Sequence, residues 1–289
     1  MRILILGGDG MLGHQLLRHF SAHHDTRVTL RQALEHYSRY GLFKSDNAYG
    51  AIDARSTDSL RKVLADFRPE AVINAIGLVK QRPVAQEAIP NIEINALLPH
   101  KVALLCMEVG ARLVHMSTDC VFSGSRGCYR EADRPDSDDL YGLSKLLGEV
   151  HAPHCITLRT SLIGPELSRK TGLLEWFLAQ KGTVHGYRRT IFSGFTTIEL
   201  SRIIEKILLQ FPEGGGLYHV SSAPISKLDL LSLIKEKLNL PLQIIPDDRA
   251  HCDRSLDSTR FRADFGYEPP SWDTMLEELT KNILEQSNV

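Results

Sequence analysis

The chain has 289 residues, with 34 Lys and Arg against 35 Asp and Glu, for a net charge of −1. That length can bury a sizeable core, and the charge balance gives no general pull toward nucleic acid or an anionic membrane. No apolar run approaches the roughly 20 residues that span a bilayer, and five scattered cysteines (106, 120, 128, 155 and 252) form neither a disulfide framework nor a zinc spacing.

The first predicted element is a buried strand, Ile3–Leu6, which breaks directly into Gly7-Gly8-Asp9-Gly10-Met11-Leu12-Gly13. Leu12, Leu16, Leu17 and Phe20 then recur at helical spacing. A strand, a glycine turn and a helix form a seat for a dinucleotide pyrophosphate. Glycine lets the backbone turn tightly and approach the phosphates, and the helix start offers unpaired N–H groups. Asp9, Met11 and Leu12 fall inside this turn and join Gly7, Gly10 and Gly13 as candidate cofactor contacts. Two registers fit, one using Gly7, Gly10 and Gly13 and the other Gly8, Gly10 and Gly13. A strand this close to the N-terminus leaves no room for a signal or transit peptide, so the cytoplasm is the expected compartment.

A second strand is predicted at Arg27–Leu30, ending in Arg31 with no acid before Glu35. An acid at this point suits a ribose 2′-hydroxyl and an arginine suits a 2′-phosphate, so NADPH is expected, with NADH as the alternative. A helix follows from Ser56, facing inward through Leu60, Val63, Leu64 and Phe67. The chain continues with a strand at Ala71–Asn74, a long helix at Asn91–Val109 stopped by Gly110, and a strand at Arg112–Met116. A helix at Leu140–Val150 and a strand at Cys155–Leu158 complete the alternation.

This rhythm predicts an α/β fold, a doubly wound parallel Rossmann sheet over 1–164. A segment around 183–222 is expected to return to it. Helices near 173–180, 198–209, 227–238 and 272–286, with short strands near 217–220 and 243–245, make 165–289 a smaller, mainly helical substrate lobe. Such a lobe would cover the carboxyl edge of the sheet, where open α/β sheets hold ligands.

The fifth strand ends in Ser117-Thr118-Asp119, and the next helix begins Tyr141-Gly-Leu-Ser-Lys145. Tyr and Lys four apart share a helix face, so an ammonium beside the phenol is expected to lower its pKa toward useful acid–base work. With a strand-tip hydroxyl, this trio suits reversible carbonyl reduction. Thr118 would polarise the carbonyl, Tyr141 would supply the proton and Lys145 would tune Tyr141. Hydride must come from a nicotinamide, because no side chain can deliver it. The twelve histidines are scattered and no metal site is expected.

On these residues the chain resembles the extended short-chain dehydrogenases/reductases, and within them the dTDP-4-dehydrorhamnose reductases. The matching pieces are GGDGMLG at 7–13, RPEAVINAIG at 68–77, the segment around Asn95, HMSTDCVFSG at 115–124, YGLSKLLGE at 141–149, LRTSLIGP at 158–165, and SLDSTRF through FGYEPPSW at 255–272. The resemblance implies catalytic roles for Thr118, Tyr141 and Lys145. It implies Asp53 and Ala54 near the adenine, Ala75, Ile76 and Gly77 along the cofactor, Lys145 on the nicotinamide ribose, and Thr160 and Ser161 near the nicotinamide. Val79, Gln81, Asp119, Cys120 and Ser161, with Thr118, would face a nucleotide-sugar substrate, and a homodimer is allowed.

Three positions depart from the family pattern: Cys120 in place of Tyr, the basic stretch Leu78-Val-Lys80-Gln-Arg82 in place of an acidic one, and the plain Gly164-Pro165 without an aromatic at 162. Cys120 stands where epimerase/reductases of related sugars carry a cysteine, so an epimerising role is one alternative reading. Another is a non-catalytic NADP-binding subunit, like the regulatory β subunit of methionine adenosyltransferase.

Overall fold

The computed structural model describes residues 1–79, 86–168, 170–211 and 214–287. Short apolar runs in the first half form strands β1 (Arg2–Leu6), β2 (Asp25–Thr29), β3 (Ala48–Tyr49), β4 (Ala71–Asn74), β5 (Arg112–Met116) and β6 (Cys155–Arg159). Beyond them lie β7 (Leu162–Ile163), β8 (Gly182–Phe192), β9 (Phe195–Thr196) and β10 (Gly216–His219). β10 pairs with β6, so seven parallel strands form one sheet in the order β10-β6-β5-β4-β1-β2-β3. The chain leaves β1 toward β2 on one side and later returns to β4 on the other. That reversal is the switch point where open α/β sheets take ligands.

Alternation along β1 explains the layers. Ile3 and Ile5 face helix α1 (Met11–Phe20) and helix α7 (Thr197–Leu209), whereas Leu4 and Leu6 face α2 (Thr57–Phe67) and α4 (Leu98–Val109). His19 and His24 share the Glu205 carboxylate at 2.8 and 3.1 Å, tying α1 to α7. The predicted 91–109 helix is not uniform. It starts as α3 (Ala88–Asn91), widens into a π-helical turn at Ile92–Leu97 and continues as α4. Gly110, at φ +71, ends it. Helix α5 (Leu140–Leu147) starts on Asp139, whose carboxylate accepts the Gly142 N–H at 2.8 Å.

The C-terminal part holds α6 (Leu173–Leu178), β11 (Ile225–Ser226), α8 (Lys227–Lys237), β12 (Leu242–Asp253), α9 (Thr259–Phe265) and α10 (Trp272–Ser287). It carries more strand than expected. β8 and β12 pair in parallel over most of their length, and β11 adds to the other edge of β8. Neither long strand shows clean apolar alternation, because much of each faces solvent.

Candidate active site

The glycine turn sits at the β1/β4 switch point. Gly7, at φ +86, makes the turn out of β1, and a Cβ there would lie 2.9 Å from Ile76 Cγ1 beyond β4. A Cβ on Gly13 would lie 2.0 Å from the Gly7 carbonyl oxygen, so only glycine lets α1 start against its own turn. Gly8 instead packs on Val28 of β2. A Cβ on Gly8 would lie 2.5 Å from Val28 Cβ, so Gly7, Gly8 and Gly13 are all held to glycine and both registers stay open. Gly10 precedes α1 in an extended conformation with no side-chain cap, and the first N–H groups of any helix lack intrahelical acceptors. A cradle stripped of side chains and lined by such donors fits a pyrophosphate.

The flanking candidates lie at the same strand ends. Asp9 accepts from the Tyr37 hydroxyl at 3.2 Å, which ties the turn to the segment after β2. Arg31 is exposed there. Asp53 takes a bidentate bond from Arg55 at 3.0 and 3.1 Å, which holds its carboxyl below the usual range, with a smaller push from Arg31. Ala54 is half-buried next to it. Beyond β4, Asn74 Oδ1 accepts the Ile76 N–H at 3.2 Å, so Ala75, Ile76 and Gly77 turn beside the glycine loop. Val79 is half-buried; Gln81 lies outside the described residues.

Thr118 follows β5 in an extended conformation and caps the turn at Asp119–Val121. Its Oγ1 accepts the Cys120 N–H at 3.1 Å and donates to Asp119 Oδ1 at 3.1 Å. The Thr118 hydroxyl lies close enough to the Tyr141 phenol to favour its ionised form. A Cβ on Gly142 would lie 2.3 Å from the Cys120 carbonyl, so α5 can approach the Thr118 loop only because that position has no side chain. Asp119 N–H reaches the Thr160 carbonyl at 3.3 Å, which sets Thr160 beside the Thr118 loop, and the next residue, Ser161, accepts the Phe195 N–H at 2.9 Å.

The electrostatics correct one expectation. The phenol of Tyr141 is pushed up, not down: burial is the main cause, Cys120, Asp119 and Asp139 add to it, and the Thr118 hydroxyl opposes it. Lys145 is itself buried, which lowers its pKa from 10.5 to about 8 against a raising pull from Glu149. Its Nζ donates to the Met116 carbonyl at 2.6 Å.

Two features went unassigned in the sequence. Glu149 and Arg159 form a buried bidentate pair at 2.8 and 2.8 Å, and Glu149 also accepts from Ser117 Oγ at 2.7 Å. The only local signal was Glu149 standing one turn after Lys145. Asn95, in the wide turn, binds Leu78 N–H at 2.9 Å and Leu78 carbonyl at 3.1 Å, and donates to Ser144 Oγ at 3.2 Å. A π-turn in a helix is itself a marker of functional sites. Among the described residues, no group of His, Cys, Asp or Glu is arranged to hold a metal ion, and no helix is long and apolar enough to cross a membrane.

A parallel sheet with a glycine turn at its switch point and a Thr–Tyr–Lys set at the neighbouring strand end defines a Rossmann-type protein of the extended reductase kind. The model of the RmlD substrate binding domain family matches residues 1–178, and the chain belongs to that family. Among curated proteins it is similar to the methionine adenosyltransferase 2 subunit beta of Bos taurus, 28% identical over 152 residues. That match takes in 51% of this chain and about two fifths (41%) of the bovine protein's length. It is also similar to the spore coat polysaccharide biosynthesis protein SpsK of Bacillus subtilis, 27% identical over 252 residues, 84% of this chain and 82% of that one. A solved dTDP-4-dehydrorhamnose reductase of Bacillus anthracis, in complex with NADP, superposes with a TM-score of 0.79 at 23% identity, over 97% of this chain and 99% of that one.

Proposed function

We propose that this chain is an NADPH-dependent reductase acting on the 4-keto group of a nucleotide-activated 6-deoxy sugar, for rhamnose-type or surface polysaccharide assembly. The observation that carries this reading is the packing of the Tyr141 helix on the Thr118 loop, where Gly142 abuts the Cys120 carbonyl, one helical turn from a buried Lys145 that reaches the Met116 carbonyl. The reductase and SpsK likenesses support the substrate class.

The dinucleotide would be held by Gly7, Asp9, Gly10, Met11, Leu12 and Gly13 at its diphosphate, by Asp53 and Ala54 at the adenine, and by Ala75, Ile76, Gly77 and Thr160 along its length. Tyr141 and Lys145 would meet its ribose, and Arg31 a 2′-phosphate. When bound, it supplies the hydride. Thr118 Oγ1 turns its one proton from Asp119 to the substrate oxygen, and Tyr141 gives that oxygen a proton. The raised phenol pKa keeps that proton in place until charge develops on the oxygen. Lys145 adds positive charge under the strand end. Val79, Gln81, Asp119, Cys120 and Ser161 would line the sugar, and the C-terminal part would hold the nucleotide close to the nicotinamide end.

The similarity to the methionine adenosyltransferase subunit favours a second reading, dinucleotide binding in service of a partner enzyme. Turnover separates the two. Purified protein is mixed with NADPH and a dTDP-4-keto-6-deoxyhexose, and absorbance at the nicotinamide band is followed. Consumption supports the reductase. Tight NADPH binding without consumption of any keto-sugar nucleotide supports the subunit.

A further inference from the structure

Arg254 directly follows β12 and lies against the loop that carries Thr118. Its Nε donates to the Phe122 carbonyl at 2.8 Å, four residues past Thr118. Gly124, at φ +84, leaves room for this contact, since a Cβ there would lie 2.6 Å from Cys252 Sγ and 3.0 Å from Arg254 Cγ. On the opposite side of the same loop, the Cys120 carbonyl abuts Gly142, next to Tyr141. The stretch Cys120–Phe122 is therefore enclosed between the helix of Tyr141 and the arginine.

The guanidinium is half-buried. Burial works against its charge, while Cys120, Cys252, Asp119 and Asp139 favour it, which places the head among groups next to the catalytic loop. The Nε bond is the one hydrogen bond its side chain makes among the described residues, and it has no ion pair among them. Other half-buried arginines here are engaged. Arg27 reaches Tyr49 and Asp66, and the buried Arg159 is likewise locked on Glu149. A clamp on the loop needs only Nε. What remains is a planar fork with both terminal nitrogens uncommitted, fixed in orientation at one corner, and that is the geometry for taking two oxygens of an anion.

We propose that Arg254 anchors an oxyanion of the substrate, a phosphate or carboxylate group carried close to the reacting sugar. This rests on the reading that a nucleotide-activated sugar occupies the Thr118–Tyr141 site. Because Nε is held by Phe122, the anchor also couples an occupied anion site to the loop that positions Thr118.

The test compares full-length wild type with Arg254→Met and Arg254→Lys by calorimetry, after circular dichroism and melting curves show that all three are folded. Each is titrated with dTDP, UDP, thymidine and uridine, with and without NADP⁺. Charge-assisted bonds of this kind lead us to expect a loss of about ten- to a hundredfold in nucleoside diphosphate affinity for Arg254→Met. The loss is smaller for Arg254→Lys, and nucleoside affinity does not move. A purely structural role for Arg254 would move nucleoside and nucleoside diphosphate together, which overturns the proposal.

A second arm compares UDP-glucuronate with UDP-glucose. Unchanged diphosphate affinity, with loss of preference for the glucuronate, places the oxyanion on the sugar and supports the proposal. No selective loss in either arm overturns it, as does a wild type that binds neither probe. Absence of NADP⁺ binding overturns the reductase reading alone, since the nucleoside diphosphate titrations without dinucleotide still judge Arg254.

Discussion

The Lys145 ammonium donates to the Met116 carbonyl at 2.6 Å, inside the fold and two residues short of Thr118. The bond fixes the last stretch of backbone before the Thr118 hydroxyl, and it does so with a charge that burial disfavours. Above about pH 8 the folded protein releases this proton, while the unfolded chain keeps it up to 10.5. The unfolded state thus binds more protons in that window, and stability contributed by this site rises with pH across it. Below pH 8 both states hold the proton and the burial cost is fully present.

Relative to Lys145→Met, the wild type should therefore gain roughly 1–3 kcal/mol between pH 7.5 and 10.5. Urea denaturation of both proteins at a series of pH values checks this. Parallel stability curves would show that Lys145 does not titrate in that window. In the enzyme, a rate that needs the ammonium should fall as pH rises through about 8.

The buried Glu149–Arg159 pair should be the most sensitive ionic contact in the domain. Both groups are nearly inaccessible, with exposures of 5% and 4%. Removing one partner strands the other charge, at a cost of about 3–5 kcal/mol. Glu149→Ala and Arg159→Ala should each lose that much by chemical denaturation, and the double variant should lose less than their sum. An additive double variant would mean that the two charges act independently.

Gly13→Ala tests the glycine cradle. Its new methyl would sit 2.0 Å from the Gly7 carbonyl, a backbone atom that cannot step aside. NADPH binding should be lost at concentrations that saturate the wild type, with α1 displaced from the turn. Equal NADPH affinity in wild type and Gly13→Ala would remove the turn from the binding site.

Cofactor preference is tested at Arg31, exposed at the end of β2 and close enough to Asp53 to influence it. Arg31→Ala should weaken NADPH by about tenfold and leave NADH almost unchanged, because only the former offers a 2′-phosphate. Equal effects on both dinucleotides would place the arginine elsewhere in function.

The parts of the site legible in the sequence are those encoded within one element. The glycine turn, the Tyr141–Lys145 spacing and the parallel alternation of the first half all depend on neighbours within a few residues. What the sequence could not show depends on distant partners. Arg159 reads as the end of a strand until Glu149 is placed beside it, and Asn95 reads as mid-helix until the π-turn points it at Leu78 and Ser144. The direction of the Tyr141 shift was read from Lys145 alone, whereas burial by the surrounding fold sets it. β8 was missed because GTVHGYRRTIF has no apolar period; its partner β12 supplies the pairing that its own composition does not announce.

The Cys120 carbonyl abuts the helix start at Gly142, and the Cys120 side chain helps to push the Tyr141 phenol up. As a packing residue, its replacement by Ser should leave solvent-deuterium incorporation next to the keto carbon unchanged. A loss of incorporation in Cys120→Ser would establish epimerisation as a second activity.

The most direct measurement uses NADPH deuterated at the nicotinamide C4 hydride position, with a dTDP-4-keto-6-deoxyhexose, and reads the product by NMR. Deuterium should appear at C4 of the sugar with wild type, and its rate of transfer should fall by orders of magnitude in Tyr141→Phe and Thr118→Val. Bound NADPH that transfers no label to any keto-sugar nucleotide, or transfer undiminished in both variants, would contradict the reductase assignment.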